Sequence, residues 1–221
     1  GPGGGRLVHM IETMPAGAAV KYQGTSSRFG RELAYLLAGL PVGVVAFVVA
    51  VTGFSLGVGG FAAVFGVPVL AGTLVAARAF ARGERARVAA VTGHAMPAPS
   101  YREPRGTGLV RWWHALGDPQ AWRDWTHMML ALPVRLITFS LAVTWTVGGL
   151  GELCYVLWSW SLPRDGGEEG LLDLAFGIDS TAADIAFHTG IGVLLLATAV
   201  PMVRGLTSLQ AGVARALLVR A

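Results

Sequence analysis

The chain has 221 residues, of which 53% are hydrophobic and 14% charged, and its mean hydropathy is +0.57. Because a soluble domain typically has about 25% charged residues, this composition excludes an ordinary soluble domain. The net charge of +4 does not indicate nucleic-acid binding, since the arginines lie beside apolar runs, where they orient membrane proteins. The one cysteine, Cys154, excludes an intrachain disulfide and a multi-cysteine metal site.

Residues 1–30 are predicted to be a tail outside the fold. Residues 1–9 start with Gly-Pro and a glycine run, which resembles a cloning remnant, and they are excluded from the interpretation of the fold. Met10–Gly30 is polar and rich in small residues, which indicates a mobile segment. It lacks the basic, apolar, small-residue order of a cleaved signal peptide.

Residues 31–80 predict a first transmembrane hairpin. The apolar runs Leu33–Leu56 and Phe61–Phe80 are each long enough to cross the hydrocarbon core, which takes about 20 helical residues. The turn between them, 57–60, is too short for anything but a tight connection. Small residues in both halves allow the two helix backbones to approach closely: Gly39, Gly43, Gly53 and Gly57.

Residues 81–130 are predicted to be a cytoplasmic connector with an amphipathic interfacial helix. The arginines at 78–87 extend the second helix beyond the membrane, and a proline-punctuated stretch follows at 96–108. Asp118 is expected to cap a new helix with Pro119 at its first position. Tryptophans mixed with charge over Leu109–Met129 are typical of an interfacial aromatic belt, with a lipid or ligand cage as the alternative: Trp112, Trp113, Trp122 and Trp125.

Residues 131–206 predict a second hairpin, and 207–221 a cytoplasmic output helix. The spans Ala131–Trp158 and Ile185–Val203 flank an acidic loop, 159–184. Arg135 lies just inside the third span, where we expect its side chain to snorkel to the interface; pairing with Asp124 is the alternative. The loop contains Arg164 as its one basic residue among six acidic ones: Asp165, Glu168, Glu169, Asp173, Asp179 and Asp184.

The distribution of charge predicts the orientation in the plasma membrane. Apart from Arg164, the basic residues lie at the ends of the spans opposite the acidic loop. The positive-inside rule therefore places both termini and 81–130 in the cytoplasm and the acidic loop outside. The sequence predicts an all-α protein with four membrane spans.

Matching prolines indicate an internal repeat. Leu40-Pro41-Val42 of the first span aligns with Leu132-Pro133-Val134 of the third, and Pro68 of the second with Pro201 of the fourth. Both hairpins are expected to enter from the cytoplasm. The interpretation is therefore a parallel repeat, with its axis along the membrane normal.

Several polar motifs resemble a known family. Arg31–Leu37 is followed by Gly39-Leu40-Pro41, and further matches occur at Tyr101-Arg102, Asp118-Pro119 and Leu132-Pro133. Over roughly Arg28–Ala221 the chain resembles the sensor domain of actinobacterial membrane histidine kinases. The resemblance implies a four-span input module of a two-component system, a homodimer, and a cytoplasmic kinase as the output. The phosphoacceptor helix and ATP-binding glycine motifs of such a kinase are not found in this sequence.

A candidate ligand site lies where the third and fourth spans meet the acidic loop. Glu152 is the carboxylate inside an apolar run, where ionisable groups usually face a partner or water, and Asp184 and His188 share a helix face at i and i+4. With Asp179 and Cys154 nearby in sequence, this set suits a cationic ligand or a metal held by Glu152, Asp184 and His188. The alternatives are a helix cap with a hydrogen-bonded histidine, and a pH sensor at His188.

These observations predict a signal-input module that detects an outward or membrane-borne stimulus and passes it along the fourth span. A small membrane transporter or lipid-binding membrane protein is the alternative, because repeated proline-containing hairpins also suit broken transport helices. The sequence contains no nucleophile-elbow or zinc-protease pattern, so we expect no enzymatic activity. It implies no cofactor, with metal and lipid left open. The lipid bilayer, a second copy and a kinase are the expected partners.

Overall fold

The computed structural model describes residues 16–61, 65–101, 109–161, 177 and 180–219, with side chains from Ser27 onward apart from 109 and 111. Within these residues the fold is all helical, with no strand, which confirms the predicted class. The elements in chain order are α1 (Ala16–Gly59), α2 (Gly66–Thr92), α3 (Leu109–Leu116), α4 (Pro119–Val143), the π turn (Thr144–Gly148), α5 (Gly149–Leu153), α6 (Tyr155–Trp158), a 3₁₀ turn (Ser159–Ser161) and α7 (Thr181–Leu218). The elements from α4 to α6 follow one another directly and form one rod.

The first helix begins inside the segment predicted to be a tail. α1 starts at Ala16 and continues without a break to Gly59, so the predicted mobile tail 1–30 is wrong from Ala16 onward. Once a long helix has nucleated, each added residue contributes a hydrogen bond at little cost. The alanines at 16, 18 and 19 have the best helix propensity. The proposed cloning remnant, 1–9, lies outside the described residues.

The start of α4 confirms the predicted break. The Asp118 carboxylate accepts a hydrogen bond from the backbone N–H of Gln120 at 3.0 Å, and Pro119 is the first helical residue. However, α4 then runs uninterrupted through Pro133 to Val143. The predicted interfacial helix Leu109–Met129 and the third span are therefore not separate: the part from Pro119 is the beginning of the span's own helix.

In the part of the chain that the structure describes, three helices are long and apolar enough to cross a membrane: Ser27–Gly59, Pro119–Leu153 and Thr181–Leu218. They contain the predicted first span, much of the third, and the fourth. The predicted second span, Phe61–Phe80, does not reach this standard in the described residues, since α2 starts at Gly66 and already carries Arg78. The helices indicate a membrane protein.

The long helices pack as antiparallel neighbours. Gly53 of α1 lies against the Thr73 side chain, and Gly57 against Leu70, so α1 and α2 approach closely at one end. Small side chains continue this contact, with Ala46, Ala50, Ala77 and Met128 forming a buried cluster that also brings in α4. The predicted small-residue face of the first hairpin is therefore used to bring helices together.

The relative direction of the two hairpins differs from the prediction. Along α1, Phe54 contacts Trp125, Gly43 contacts Arg135, and Leu36 shares a core cluster with Ala142, so α1 and α4 are antiparallel. α4 and α7 are also antiparallel, as shown by their contacts at Thr138–Gln210 and Trp145–Thr198. It follows that α1 runs parallel to α7.

The predicted parallel repeat is therefore wrong in its geometry. Phe61, at the end of α1, packs on Trp113 with ring centroids 6.0 Å apart, just before α4 begins. The acidic loop leaves from Ser161, at the opposite end of the α4–α6 rod. The two hairpins point in opposite directions, because interhelical packing decides which ends meet, and matched prolines carry no information about packing partners.

Candidate functional site

One polar cluster lies at the end of the bundle from which the acidic loop departs, here called the loop end. Nδ1 of His188 is 2.5 Å from Oε2 of Glu152, and its Nε2 is 3.6 Å from Oδ1 of Asp184. The hydroxyl of Tyr155 donates a hydrogen bond to Oδ2 of Asp184 at 2.8 Å. These four residues, Glu152, Tyr155, Asp184 and His188, form the loop-end cluster.

Local structure explains how the loop-end cluster is assembled. Ser180 caps α7 by accepting a hydrogen bond from the N–H of Ala183, which fixes the first turn that carries Asp184. Gly192 lies directly on the backbone of Leu153, so α5 and α7 are in backbone contact one turn beyond His188. The Tyr155 ring then stacks on the imidazole at 4.0 Å and 15°. Close helix approach and stacking together hold the imidazole between two carboxylates.

The structure brings together three of the five predicted ligand residues. Glu152, Asp184 and His188 are in contact, whereas Cys154 is exposed and takes no part in the contacts that define the cluster. Asp179 lies outside the described residues. Tyr155 was not predicted, although its position three residues after Glu152 on an expected helix is a signal that was available.

The arrangement does not favour a metal site. The two carboxylates contact opposite nitrogens of the His188 ring, so they do not converge on one point with it. Among the described residues, no group of three His, Cys, Asp or Glu side chains is arranged to hold a metal ion. The geometry instead fits two hydrogen-bonded pairs, His188 with Glu152 and Tyr155 with Asp184, which the longer contact of His188 with Asp184 brings side by side.

A second polar group, which the sequence analysis missed, lies where α1, α2, α4 and α7 meet. Arg135 donates to Oε2 of Glu84 at 2.6 Å, and both side chains are 5% exposed. Arg87 donates to the same oxygen at 3.0 Å and to the carbonyl of Tyr35 at 2.9 Å. The Tyr35 hydroxyl donates to Oε1 of Glu84 at 2.9 Å. One carboxylate thus joins three helices.

The surroundings of Glu84 keep it ionised. Glu84 lies outside the three candidate membrane spans. Burial by itself raises the pKa of the Glu84 carboxyl, but the guanidinium groups of Arg135 and Arg87 and the Tyr35 hydroxyl outweigh burial and hold the pKa below its ordinary value. A buried carboxylate with two cationic donors satisfies the condition under which ion pairs are retained inside a protein.

A neighbouring set of hydrogen bonds reaches the C-terminal end of α7. Nη2 of Arg85 donates to Oδ1 of Asp124 and to the carbonyl of Leu218, each at 3.2 Å. Gln120 donates to the same two acceptors at 3.0 and 3.4 Å. The last carbonyls of a helix lack intrahelical partners, so these contacts cap α7 and tie its end to α2 and α4.

Tyr101, which lies in the connector after α2, joins this set of hydrogen bonds. Its hydroxyl donates to Oδ2 of Asp124 at 2.7 Å, and Arg85 donates to that hydroxyl at 3.3 Å. Burial and the hydrogen bond to Asp124 raise the pKa of the Tyr101 phenol. We call the two sets together the central network; its members are Tyr35, Glu84, Arg85, Arg87, Tyr101, Gln120, Asp124 and Arg135.

The central network corrects two expectations about arginine. Arg135 neither snorkels nor pairs with Asp124: it is buried against Glu84, and Asp124 pairs with Arg85 instead. Arg85 and Arg87 do not serve only to orient the chain. The sequence contained a signal for these ion pairs: Glu84 is the one acidic residue of α2, and it lies among the arginines of that helix.

The four tryptophans that were predicted to form an aromatic belt do not lie in one continuous group. Trp122 and Trp125 are half-buried and pack around Phe54, with centroids at 6.4 and 4.9 Å. Their indole N–H groups donate to the carbonyls of Leu116 and Ala50. Trp113 is exposed beside Phe61, and Trp112 is half-buried. Two of the four therefore hold α4 against α1.

Comparison with known proteins gives one match. A family model with the description "Putative sensor" matches residues 35–218. No curated protein and no solved structure matches the chain significantly. The matched range begins at Tyr35 and ends at Leu218, so it includes the loop-end cluster and the central network.

Proposed function

The chain belongs to this sensor family, which indicates a signal-sensing role, and we propose that it is a membrane-embedded input module whose output leaves through the C-terminal end of α7. The stimulus acts at the loop-end cluster or on the membrane around it. The output is a cytoplasmic signalling partner, of which a histidine kinase in a two-component system is the form implied by the resemblance of the sequence. The module itself catalyses no reaction.

The observation that supports this proposal is the continuity of α7. It contains 38 residues without a break, about 57 Å at 1.5 Å per residue. Asp184 and His188 lie in its first two turns, and the carbonyl of Leu218 at its end accepts hydrogen bonds from Arg85 and Gln120. A shift or rotation of α7 at the loop end therefore changes contacts at the other end.

Two arrangements of the bundle are required for a signal, since a ligand that binds both equally shifts nothing. The hydrogen bonds of the loop-end cluster, and those from Arg85 and Gln120 to the Leu218 carbonyl, join α7 to other helices, so a movement of α7 can break or exchange them. The π turn Thr144–Gly148 lies between them, and such turns often mark functional sites. A homodimer and a plasma-membrane location complete the proposal.

The transporter alternative is less well supported. The cavities beside Glu84 and His127 are each ≈ 10 Å³, room for about one water molecule. A substrate path needs polar groups that line open space, whereas the central network pairs its charges with one another. Lipid binding does not exclude sensing.

A chimera tests the signalling role. The chain is continued in helical register after Leu218 into a dimeric histidine kinase core, and autophosphorylation is measured in proteoliposomes. We expect His188→Gln to change kinase activity about fivefold or more, within the usual range of coupling between sites. Leu194→Ala is the matched control, because Leu194 is exposed on the same helix.

Insertion of one residue after Leu218 provides the second arm. It rotates the kinase by about 100° relative to α7, and we expect a further change in activity. Equal activity of the parent, the His188→Gln variant and the insertion variant, all correctly inserted and helical, would contradict signal transmission through α7.

A further inference from the structure

A groove of ≈ 740 Å³ opens beside the C-terminal end of α7. It lies outside the loop-end cluster and the central network. Segments from three parts of the fold line it: the residues that follow α2, the first turns of α4 and the last turn of α7. The side chains that matter here are His94, Met96, Arg123, Arg215, Ala216 and Val219.

The charged side chains that line the groove are basic. His94, Arg123 and Arg215 approach it, and among the residues that the structure describes no acidic one lines it. Arg123 donates to the carbonyl of Ala216 at 3.4 Å, which uses one of the five N–H donors of a guanidinium. Met96, Ala216 and Val219 supply apolar walls. A bound molecule must therefore have an anionic head and an apolar body.

The apolar walls continue along the bundle. Arg123, Leu130 and Ile137 are seven residues apart on α4, and Leu209 and Ala216 are seven apart on α7, so each set keeps one face of its helix. Because α4 and α7 are antiparallel and Arg123 contacts Ala216, Leu130 lies level with Leu209. These leucines and Ile137 are 48%, 53% and 60% exposed. An apolar strip thus leads from the basic groove into the candidate membrane spans.

We propose that this groove binds an anionic phospholipid, with the phosphate between Arg123, Arg215 and His94 and an acyl chain along Leu130, Leu209 and Ile137. Arginine suits phosphate because its planar fork of donors matches the phosphate oxygens. The inference rests on the membrane location in the proposed function and not on signal output.

Native mass spectrometry of the full chain in detergent tests the site. Phosphatidylglycerol and phosphatidylcholine of equal chain length are titrated against the parent and the Arg123→Gln/Arg215→Gln double variant. Since each basic residue near a membrane surface contributes about 1 kcal/mol, we expect the double variant, which lacks two of them, to bind phosphatidylglycerol roughly thirtyfold more weakly. Phosphatidylcholine binding should be weak and unchanged.

Two further variants make the result specific. Arg82→Gln is the matched control, since Arg82 is an exposed arginine outside the groove, and it should bind as the parent does. Ala216→Trp fills the groove without removing charge and should also weaken phosphatidylglycerol binding. Equal binding of both lipids by the parent, unchanged binding by the double variant, or displacement of the lipid by inorganic phosphate alone would overturn the proposal. Lipid loss with intact kinase regulation in the chimera leaves the proposed function standing, and the reverse result leaves the lipid site standing.

Discussion

Glu84 shows at the scale of one residue how this bundle holds charge in its interior. Its two carboxylate oxygens accept hydrogen bonds from Arg135, Arg87 and Tyr35, which belong to α4, α2 and α1. Taking such a group out of water costs several kcal/mol, and only well-placed partners offset that cost. The same residue is 5% exposed, so removal of its charge leaves a buried guanidinium without a counter-ion.

We therefore predict that Glu84→Gln lowers the free energy of unfolding by about 3–5 kcal/mol at pH 7. Because the pKa of Glu84 is below its ordinary value in the folded chain, this contribution is present above about pH 4.5 and is lost as the pH falls through the lowered folded-state pKa. The difference from the parent should thus shrink in acid. Unfolding in mixed micelles, followed by helical circular dichroism at pH 7 and below pH 4.5, measures both effects.

Arg28→Gln is the control for this prediction. Arg28 pairs with Glu32 one turn away, and its side chain is 59% exposed, so its loss should cost less than about 1 kcal/mol. Similar losses for Glu84→Gln and Arg28→Gln would show that the central network contributes nothing beyond ordinary surface pairs.

At the scale of the element, the contact of α5 with α7 depends on glycine, which has no side chain to keep the two backbones apart. Gly192 lies so close to the Leu153 backbone that an added Cβ has no room. The contact fixes the distance between Glu152 on α5 and His188 on α7. The helices, and not the polar groups alone, set the geometry of the loop-end cluster.

We predict that Gly192→Ala destabilises the protein by about 1–3 kcal/mol through overpacking and separates α5 from α7. Gly190→Ala is matched to it, since Gly190 is on the same helix and an added Cβ there meets nothing within 4 Å. That change should be neutral or stabilise by up to about 1 kcal/mol, because alanine favours a helix over glycine. Thermal unfolding of both variants in one detergent makes the comparison; equal effects would contradict the close contact.

The opposite directions of the two hairpins are a property of the whole molecule. Phe61 and Trp113 place the junction of α1 and α2 beside the start of α4, while Ser161 stands at the other end of the rod. A parallel repeat would instead bring the first junction and the acidic loop to the same end. The difference is large enough for chemical cross-linking.

We predict that a short bifunctional maleimide joins a Phe61→Cys/Trp113→Cys pair, and that it does not join a Val58→Cys/Ser161→Cys pair. Both pairs are made on a Cys154→Ser background, since Cys154 is exposed. Mass spectrometry of the cross-linked peptides distinguishes the arrangements. Cross-linking of the second pair alone would favour the parallel repeat.

The sequence by itself determined the helical class, three of the four apolar runs that it predicted as spans, and the Asp118–Pro119 helix start. These follow from hydrophobic run length, capping chemistry and the fixed φ of proline, all of which are local. The i, i+4 spacing of Asp184 and His188 is local in the same sense, and it correctly placed both on one helix face. The proximity of Glu152 to His188 was predicted because Glu152 is a carboxylate inside an apolar run, where an ionisable group needs a partner.

Only the tertiary structure decided which helices meet and in which direction. The pairing of Arg135 with Glu84 and of Arg85 with Asp124 depends on interhelical register, to which residues far apart in sequence contribute. The same holds for the direction of the hairpins, which the matched prolines of the spans could not specify. Local energies are encoded within a few turns of chain, whereas the register of packed helices is a sum over many weak contacts that becomes defined only when the helices are assembled.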